Sequence, residues 1–401
     1  MPNVELISNV FHYYYTALSL ERRGYLQRYI TGPSARDDEA WLRRLWGPFR
    51  KLWTERRLQD IPPSKIKRLW LHEIVQKSVP RVGGSPALSN VLSAELFARE
   101  SARLVNDCEV LHFVHSVGWI AAAKMKRRGA TIICDMREEH PQFQVDILSE
   151  EAAHLGVKVD IANPHYRRRV LEEIDLADYI FCPSSYAKRT FLSRGISEKK
   201  LVICPYGVDA KKFAVHEPPS AEGEFRVLFL GRVCMRKGVH YLLEGFRRAA
   251  LPNARLILAG PVDPAFRIVL DRYSGLFDEL GSVAHSRVQE CYSNADVFVM
   301  PSLADSYGLV VSEAMSAGLP VIVSENTGMS DFITDGREGF VVPIRNGEAI
   351  AERLTFLYEN RDRCAGMGEA GVATARKLDW ENYQRVCMNF YGSLFSPAPR
   401  S

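Results

Sequence analysis

The chain has 401 residues, 46% hydrophobic and 25% charged, with a formal net charge of +4; at a soft ~150 residues per domain this ordinary globular composition predicts two or three domains. It excludes one small module, and with no run of roughly eighteen uncharged apolar residues it excludes a membrane-spanning helix. The charge is uneven: Lys and Arg outnumber Asp and Glu by 31 to 24 up to Lys200, hence +7, and fall short by 21 to 24 beyond it, hence −3. A basic first half favours an anionic partner. The start, MPNVELISNVFHYYY, lacks the pattern of an export signal, and the eight cysteines form no CxxC pair and lie partly in apolar runs such as TIICDM and YIFCPS. Both point to buried reduced thiols and a cytoplasmic location.

In chain order, VELISN, EVLHFVH, TIICDM, YIFCPS and KLVICPYGV read as strands separated by helical or loop stretches, giving a first domain over 1–213. A helical insertion, about 36–81, interrupts it. That segment holds Trp41, Trp46, Trp53 and Trp70, four of the six tryptophans, with twelve basic and six acidic residues. At 100° per residue Trp41, Leu42, Leu45, Trp46, Phe49, Leu52 and Trp53 share a ~140° arc that leaves Arg43, Arg44, Arg50 and Lys51 outside it. Such a stripe either seats rings at a bilayer boundary with cations on anionic headgroups, or packs against the sheet. The stretch AVHEPPSAEGE, 214–224, has no apolar periodicity and reads as a linker. From 225 to 380, RVLFLG, ARLILAG, VFVMPS, PVIVSE and GFVVP alternate with helical segments such as HYLLEGFRRAA and EAMSAG. This predicts a second parallel sheet, so the fold class is α/β with two doubly wound, Rossmann-like domains. Trp380, Tyr383, Val386, Phe390 and Tyr391 recur at helical spacing in the last segment, 381–401, and core packing is their default reading.

Two stretches carry chemistry. In LFLGRVCMRKGVHYLLEGF a strand runs into Gly231 and Arg232, with Lys237 at a helix entrance five residues on. Ligands of open α/β sheets bind beyond the carboxyl ends of strands, and two cations there suit a pyrophosphate, at roughly 1.5–3 kcal/mol per charged hydrogen bond. The pattern is neither a phosphate loop of the Walker type nor GxGxxG, so neither ATPase nor dehydrogenase chemistry is indicated. In VFVMPSLADSYGLVVSEAMSAGLPVIVSE a strand leads to Asp305, then Tyr307, Gly308 and Leu309 at a helix start, then Glu313 inside the helix. Free amides at that helix start face a phosphate, and both carboxylates line one crevice.

In this order and spacing the two stretches resemble the retaining glycosyltransferases of family 4, which have the GT-B fold of two domains facing a cleft. The resemblance extends from about Asp175 to the end, including LADYIFCPSSYAKRTFLSRGISEKKLVICPYGVD and GREGFVVPIRNGEAIAERL. It implies a C-terminal helix returning to the first domain. It further implies transfer of a hexosyl-type sugar from a UDP- or GDP-linked donor to a hydroxyl acceptor, in cell-envelope, polysaccharide or glycolipid synthesis. Arg232, Lys237 and Gly231 then bind the diphosphate, and Glu313 the ribose. The amides of Tyr307, Gly308 and Leu309 take the phosphate and sugar, while Val283 lies beside the base. Asp305 stands where the family has Glu, shorter by roughly 1.5 Å of bond length. The family's glycine-rich first loop is replaced by SNVFHYYY.

In the first domain, TIICDMREEHP sets Asp135, Arg137, Glu138 and His140 after a strand end. By the resemblance His140 contacts the sugar and shares the catalytic role with Asp305; a capping histidine is the alternative. His12 and Glu138 are candidates for the acceptor side, whereas His112 and His115 read as structural. No DxD motif and no convincing metal spacing occurs, so the expectation is metal-independent transfer with no cofactor beyond the nucleotide sugar. Because of Asp305, the alternative function is a non-catalytic sugar-nucleotide-binding subunit. A nucleic-acid partner is not expected, since no RNA-module signature accompanies the basic charge.

Overall fold

The alternation of strands and helices closes into two sheets in the computed structural model, which describes residues 2–10, 12–34, 58, 60–79, 86–157, 163–213 and 223–396. The first sheet contains β1 (Val4–Ser8), β2 (Leu26–Thr31), β3 (Ile66–Arg68), β4 (Val110–Val114), β5 (Thr131–Asp135), β6 (Tyr179–Cys182) and β7 (Leu201–Ile203), in the order 3-2-1-4-5-6-7. The second contains β8 (Phe225–Leu230), β9 (Ala254–Ala259), β10 (Asp278–Gly281), β11 (Val297–Met300), β12 (Val321–Ser324) and β13 (Gly339–Val342), in the order 10-9-8-11-12-13. The strand pairs are parallel. Helices cover both faces, so VLHFV, VFVM and VIVS are buried throughout and need no polar alternation.

Strand order reverses once in each sheet, between β1 and β4 and between β8 and β11. A ligand of such a sheet sits outside the carboxyl ends of the strands at that reversal. The loops after these four strands therefore form the crevice: 9–10, 12 and 115–118 on one side, 231–238 and 301–308 on the other.

The segment expected as a helical insertion is only partly one. Ile66–Arg68 adds a strand at the sheet edge, pairing Ile66 with Tyr29 of β2, and Leu71–Ser78 follows as a helix with Trp70 at its start. Three residues are too few to show strand periodicity, which is why β3 is hidden in sequence. Strand β10, DELG, is the edge of the other sheet and lacks β-formers. Trp41, Trp46 and Trp53, and the linker from 214 to 222, lie outside the described residues. Among the described residues no helix is long and apolar enough to cross a membrane.

Two elements tie the domains together. The helix Pro141–Leu155, which follows β5, sends Leu148 and Ala152 into the second domain's core. Beside them the buried Glu151 carboxylate accepts from Tyr241 Oη at 2.8 Å and Arg345 Nε at 2.7 Å, and lies 2.7 Å from His240 Nε2. Burial alone raises this carboxyl, but its three partners outweigh that and hold its pKa at about 2. The helix Trp380–Phe395, capped by the Asp379 carboxylate, lies against the first domain. Tyr383 Oη pairs with Thr16 Oγ1 at 2.7 Å, Tyr391 Oη with His112 Nδ1 at 2.8 Å, and Trp380 stacks on Tyr15 with ring centroids 4.3 Å apart.

Candidate active site in the interdomain cleft

The second-domain wall is assembled by a close backbone approach. After β8 the chain passes Gly231 and Arg232, makes a short turn at Met235–Lys237, and enters the next helix through Gly238 at φ 65°. A Cβ on Gly238 would stand 1.9 Å from the Pro301 carbonyl oxygen, so only glycine lets this turn press against the loop after β11. The approach delivers Lys237 Nζ onto Asp305 Oδ2 as an ion pair. Arg236, its neighbour, donates from Nη1 to the Ala304 carbonyl at 3.0 Å and adds a second positive charge beside the same carboxylate. Burial raises the Asp305 carboxyl, yet Lys237 and Arg236 outweigh it and hold its pKa below the ordinary value. The backbone of Asp305 is fixed on both sides, its N–H donating to Asn326 O at 3.0 Å and its carbonyl accepting from Gly328 N at 2.8 Å.

Downstream, Gly308 takes φ 87° and opens the helix Leu309–Ser316 without a side-chain cap. Among the described residues the amides of Gly308 and Leu309 have no protein acceptor, as the first donors of a helix do. The Tyr307 amide is turned to Asp305 Oδ1 at 3.4 Å, and its hydroxyl donates to the Tyr206 carbonyl across the cleft. It is therefore less free for a ligand than the other two. Glu313, in the middle of this helix, accepts from Tyr292 Oη at 3.0 Å and is half-buried. Arg232 is exposed and makes no ion pair among the described residues. Val283 follows β10, the far edge strand, and packs partly buried against the core. The structure thus joins Lys237 to Asp305 directly and leaves Arg232 as the unengaged cation at the crevice mouth.

The first-domain wall gathers groups from three strand ends. His12 follows β1; its ring lies 4.6 Å from that of Tyr206, and its Nε2 is buried with no hydrogen-bond partner. His115, after β4, has Nδ1 3.3 Å from Tyr166 Oη and an equally unpartnered Nε2. Arg137, after β5, receives the Ser306 hydroxyl on its backbone carbonyl, so it sits directly against the Asp305 loop. Burial and the nearby Arg137 charge lower both histidines, His12 to about 3 and His115 to about 4. Each is a neutral imidazole near pH 7.

His140 departs from the expected sugar contact. It caps the helix Pro141–Leu155, its Nδ1 accepting from Gln142 N at 3.2 Å, its own N–H donating to Thr190 Oγ1 at 2.9 Å, and its ring edge-on to Phe191. A pre-proline position with a ring nitrogen free to accept suits an N-cap, and the ring faces its own domain. His112 is structural, bonded to Tyr391. Glu138 is half-buried and acts electrostatically on Arg137, His115 and Tyr166.

Sequence reasoning missed two residues of the cleft. Glu139 is 1% exposed, accepts from Gln144 Nε2 at 3.0 Å, and feels the Arg236 charge from the opposite domain. Burial raises its pKa above the ordinary value. Arg236 sits between Glu139 and Asp305, each of which stabilises its charge. The MRK triplet shows consecutive cations, but not which of them turns inward.

Comparison with known proteins agrees with this geometry. Residues 211–373 match the family described as Glycosyl transferases group 1. A D-inositol 3-phosphate glycosyltransferase of Paenarthrobacter aurescens is 28% identical over 219 residues, 50% of this chain and 54% of the relative, so the chain spans about half the length of that match. A putative colanic acid biosynthesis glycosyltransferase, WcaL, of Salmonella typhimurium is 23% identical over 75% of this chain and 72% of its own. Among solved structures, sucrose-phosphate synthase of Thermosynechococcus elongatus superposes with TM-score 0.63 at 20% identity, over 98% of this chain and 99% of its own. Anabaena HepE in complex with UDP and glucose gives 0.63 at 13% identity, over 98% and 100%. The two parallel-sheet domains are those of the GT-B fold, as expected from the sequence.

Proposed function

We infer that this chain, whose residues 211–373 match the group 1 glycosyl transferases, is a retaining glycosyltransferase that moves a hexosyl-type sugar from a UDP- or GDP-linked donor to a hydroxyl acceptor. The observation that carries this is the Lys237–Asp305 pair, backed by Arg236, at the strand-order reversal of the second sheet and opposite the first domain's polar wall. In HepE the corresponding fold is complexed with UDP and glucose, which supports a nucleotide-sugar donor.

In this reading the diphosphate lies between Arg232, the Lys237 ammonium and the open amides of Gly308 and Leu309, with Glu313 at the ribose and Val283 beside the base. Departure of the diphosphate leaves positive charge at the anomeric carbon, and Asp305, kept ionised by Lys237 and Arg236, steadies the sugar ring. The leaving phosphate oxygen takes the proton of the incoming hydroxyl on the same face, so configuration is retained. Lys237 and Arg232 supply the positive charge that a divalent ion supplies in other transferases. The first domain excludes water and orients the acceptor. We further assign the chain to cell-envelope, polysaccharide or glycolipid synthesis at the cytoplasmic membrane face, a reading supported by the Trp- and Arg-rich segment. Sedimentation with anionic vesicles at low salt tests this; no binding dismisses it.

A thermal-shift panel of nucleotides tests the donor. UDP or GDP at 100 times its dissociation constant adds ~2.7 kcal/mol, and no response to either removes the transferase reading. The short Asp305 side chain favours one second reading, a sugar-nucleotide binder without turnover. Asp305→Glu separates them: retained or increased turnover marks an enzyme, and tight binding without turnover in both forms marks the binder.

A further inference from the structure

Arg137 is a half-buried cation without an ion-pair partner among the described residues. Its guanidinium forms no ion pair and no hydrogen bond among the described residues, and its Nε is wholly buried and unpartnered. Glu138, next in sequence, acts on it only at a distance. A guanidinium drawn partly out of water with no protein partner leaves its charge for something else to answer. Near it three further polar atoms are wholly buried and unpartnered: His12 Nε2, His115 Nε2 and Tyr206 Oη. His115 Nδ1 pairs with the Tyr166 hydroxyl at 3.3 Å, which leaves Nε2 as its open ring nitrogen. Arg137 and three side chains set after β1, β4 and β7, all near enough to feel its charge, thus hold polar atoms with no partner among the described residues. An unsatisfied cluster of this size marks a missing partner. The Ser306 hydroxyl bonded to the Arg137 carbonyl puts that place beside the sugar-carrying loop of the other domain.

Resting on the transferase reading above, we propose that the acceptor is anionic: it carries a phosphate or carboxylate that docks on Arg137, His12, His115 and Tyr206, which brings its hydroxyl to the sugar held by Asp305. The cluster has a planar fork and three groups that can each donate one hydrogen bond, which suits a multi-oxygen anion. A neutral sugar would leave the guanidinium charge unanswered. The donor's diphosphate has its own cations, Lys237 and Arg232, on the opposite wall.

The test uses the full chain, with UDP, or GDP if that binds, at saturation so that the donor side is filled. Orthophosphate is then titrated calorimetrically. Wild type binds it; Arg137→Gln weakens it about tenfold or more while nucleotide affinity stays within about threefold, and Arg137→Lys is intermediate. Ligand-free Arg137→Gln melts within about 2 °C of wild type, so the lost phosphate affinity is not a loss of fold. No phosphate binding to wild type, equal binding to Arg137→Gln, a melting temperature lowered by well over about 2 °C, or a tenfold loss of nucleotide affinity each overturns the proposal; the last moves Arg137 to the donor. Failure of both nucleotides to bind wild type is instead the failure of the transferase reading, and orthophosphate on the nucleotide-free variants still decides Arg137. Two arms identify the source of the anion. Glycerol 3-phosphate binding that depends on Arg137 indicates a soluble acceptor. Arg137-dependent retention on phosphatidylcholine vesicles containing phosphatidic acid, and not on phosphatidylcholine alone, indicates a lipid-borne one.

Discussion

On the second-domain wall of the cleft the buried charges answer one another: Lys237 and Arg236 surround Asp305, whose backbone is pinned to Asn326 and Gly328. On the first-domain wall they do not, and Arg137 Nε, His12 Nε2 and His115 Nε2 are buried atoms with no partner among the described residues. A wall that satisfies itself keeps its shape when empty, and so preorganises whatever binds there. One that does not satisfy itself is completed by its ligand, at a cost in stability while it waits. The cleft therefore pairs a self-satisfied second-domain wall, the proposed donor side, with a first-domain wall left open, the proposed acceptor side.

The largest effect tests the compensated wall. Lys237→Ala removes both the ammonium facing the diphosphate and the main counter-charge of Asp305, so turnover falls ~10²-fold or more with the fold intact by circular dichroism. Arg232→Ala, at an exposed and unpaired cation, falls by about tenfold. Unchanged transfer in both variants would dissolve the distinction between the walls.

Next comes the latch that holds the walls together. Glu151→Gln weakens three contacts to His240, Tyr241 and Arg345 and lowers stability by about 2 kcal/mol in denaturant titration. The pH dependence has a definite sign. The folded-state pKa of Glu151, about 2, lies below the ordinary 4.5, so its stabilisation is full above pH 4.5 and is lost as the pH falls from 4.5 toward 2. The variant lacks that acid-side loss; an unchanged acid slope would show that Glu151 does not couple the domains.

How far the sequence reached follows the same division. The sheets were legible because parallel strands buried on both faces must be runs such as VLHFV and VFVM. The second-domain wall was legible because its residues sit in two short stretches, and strand–loop–helix order alone places Lys237 and Asp305 at one crevice. The first-domain wall draws His12, His115, Arg137 and Tyr206 from four distant loops, and only the order of β1, β4, β5 and β7 brings them together. The unpartnered Nε that singles out Arg137 leaves no trace in sequence. His140 illustrates the limit: its place after β5 is right for a ligand, yet one χ angle turns its ring onto Phe191.

A smaller effect separates a supporting acid from a ligand-binding one. Glu173, fully buried under the cleft, accepts from the Ser116 amide at 2.7 Å, where Ser116 holds φ 72°, while its Oε1 is unpartnered. Burial lifts its pKa to about 8. Because this value is raised, the carboxyl stays protonated in the folded chain while the unfolded chain ionises above 4.5, so stability drops as pH climbs from 4.5 to about 8. Glu173→Gln keeps the acceptor for Ser116, removes that drop, and is more stable than wild type at pH 8. A variant no more stable than wild type at pH 8 would mean that Glu173 is ionised in the fold and belongs with the open charges of the acceptor wall.

The smallest effect concerns His140, which the sequence sets at the sugar and the structure sets at a helix cap. Asn is a strong N-cap residue, so His140→Asn preserves the bond to the Gln142 amide, and turnover stays within about threefold of wild type. His140→Ala loses the cap and about 1 kcal/mol of stability, again without a matching loss of turnover. The two variants together separate capping from catalysis: a catalytic imidazole predicts that both collapse in turnover by about 10²-fold, a cap predicts that only the alanine form is less stable. A collapse in the asparagine form would mean that the ring leaves Phe191 and swings toward Asp305 when the donor binds, and the first-domain wall would then contribute to the chemistry as well as to acceptor binding.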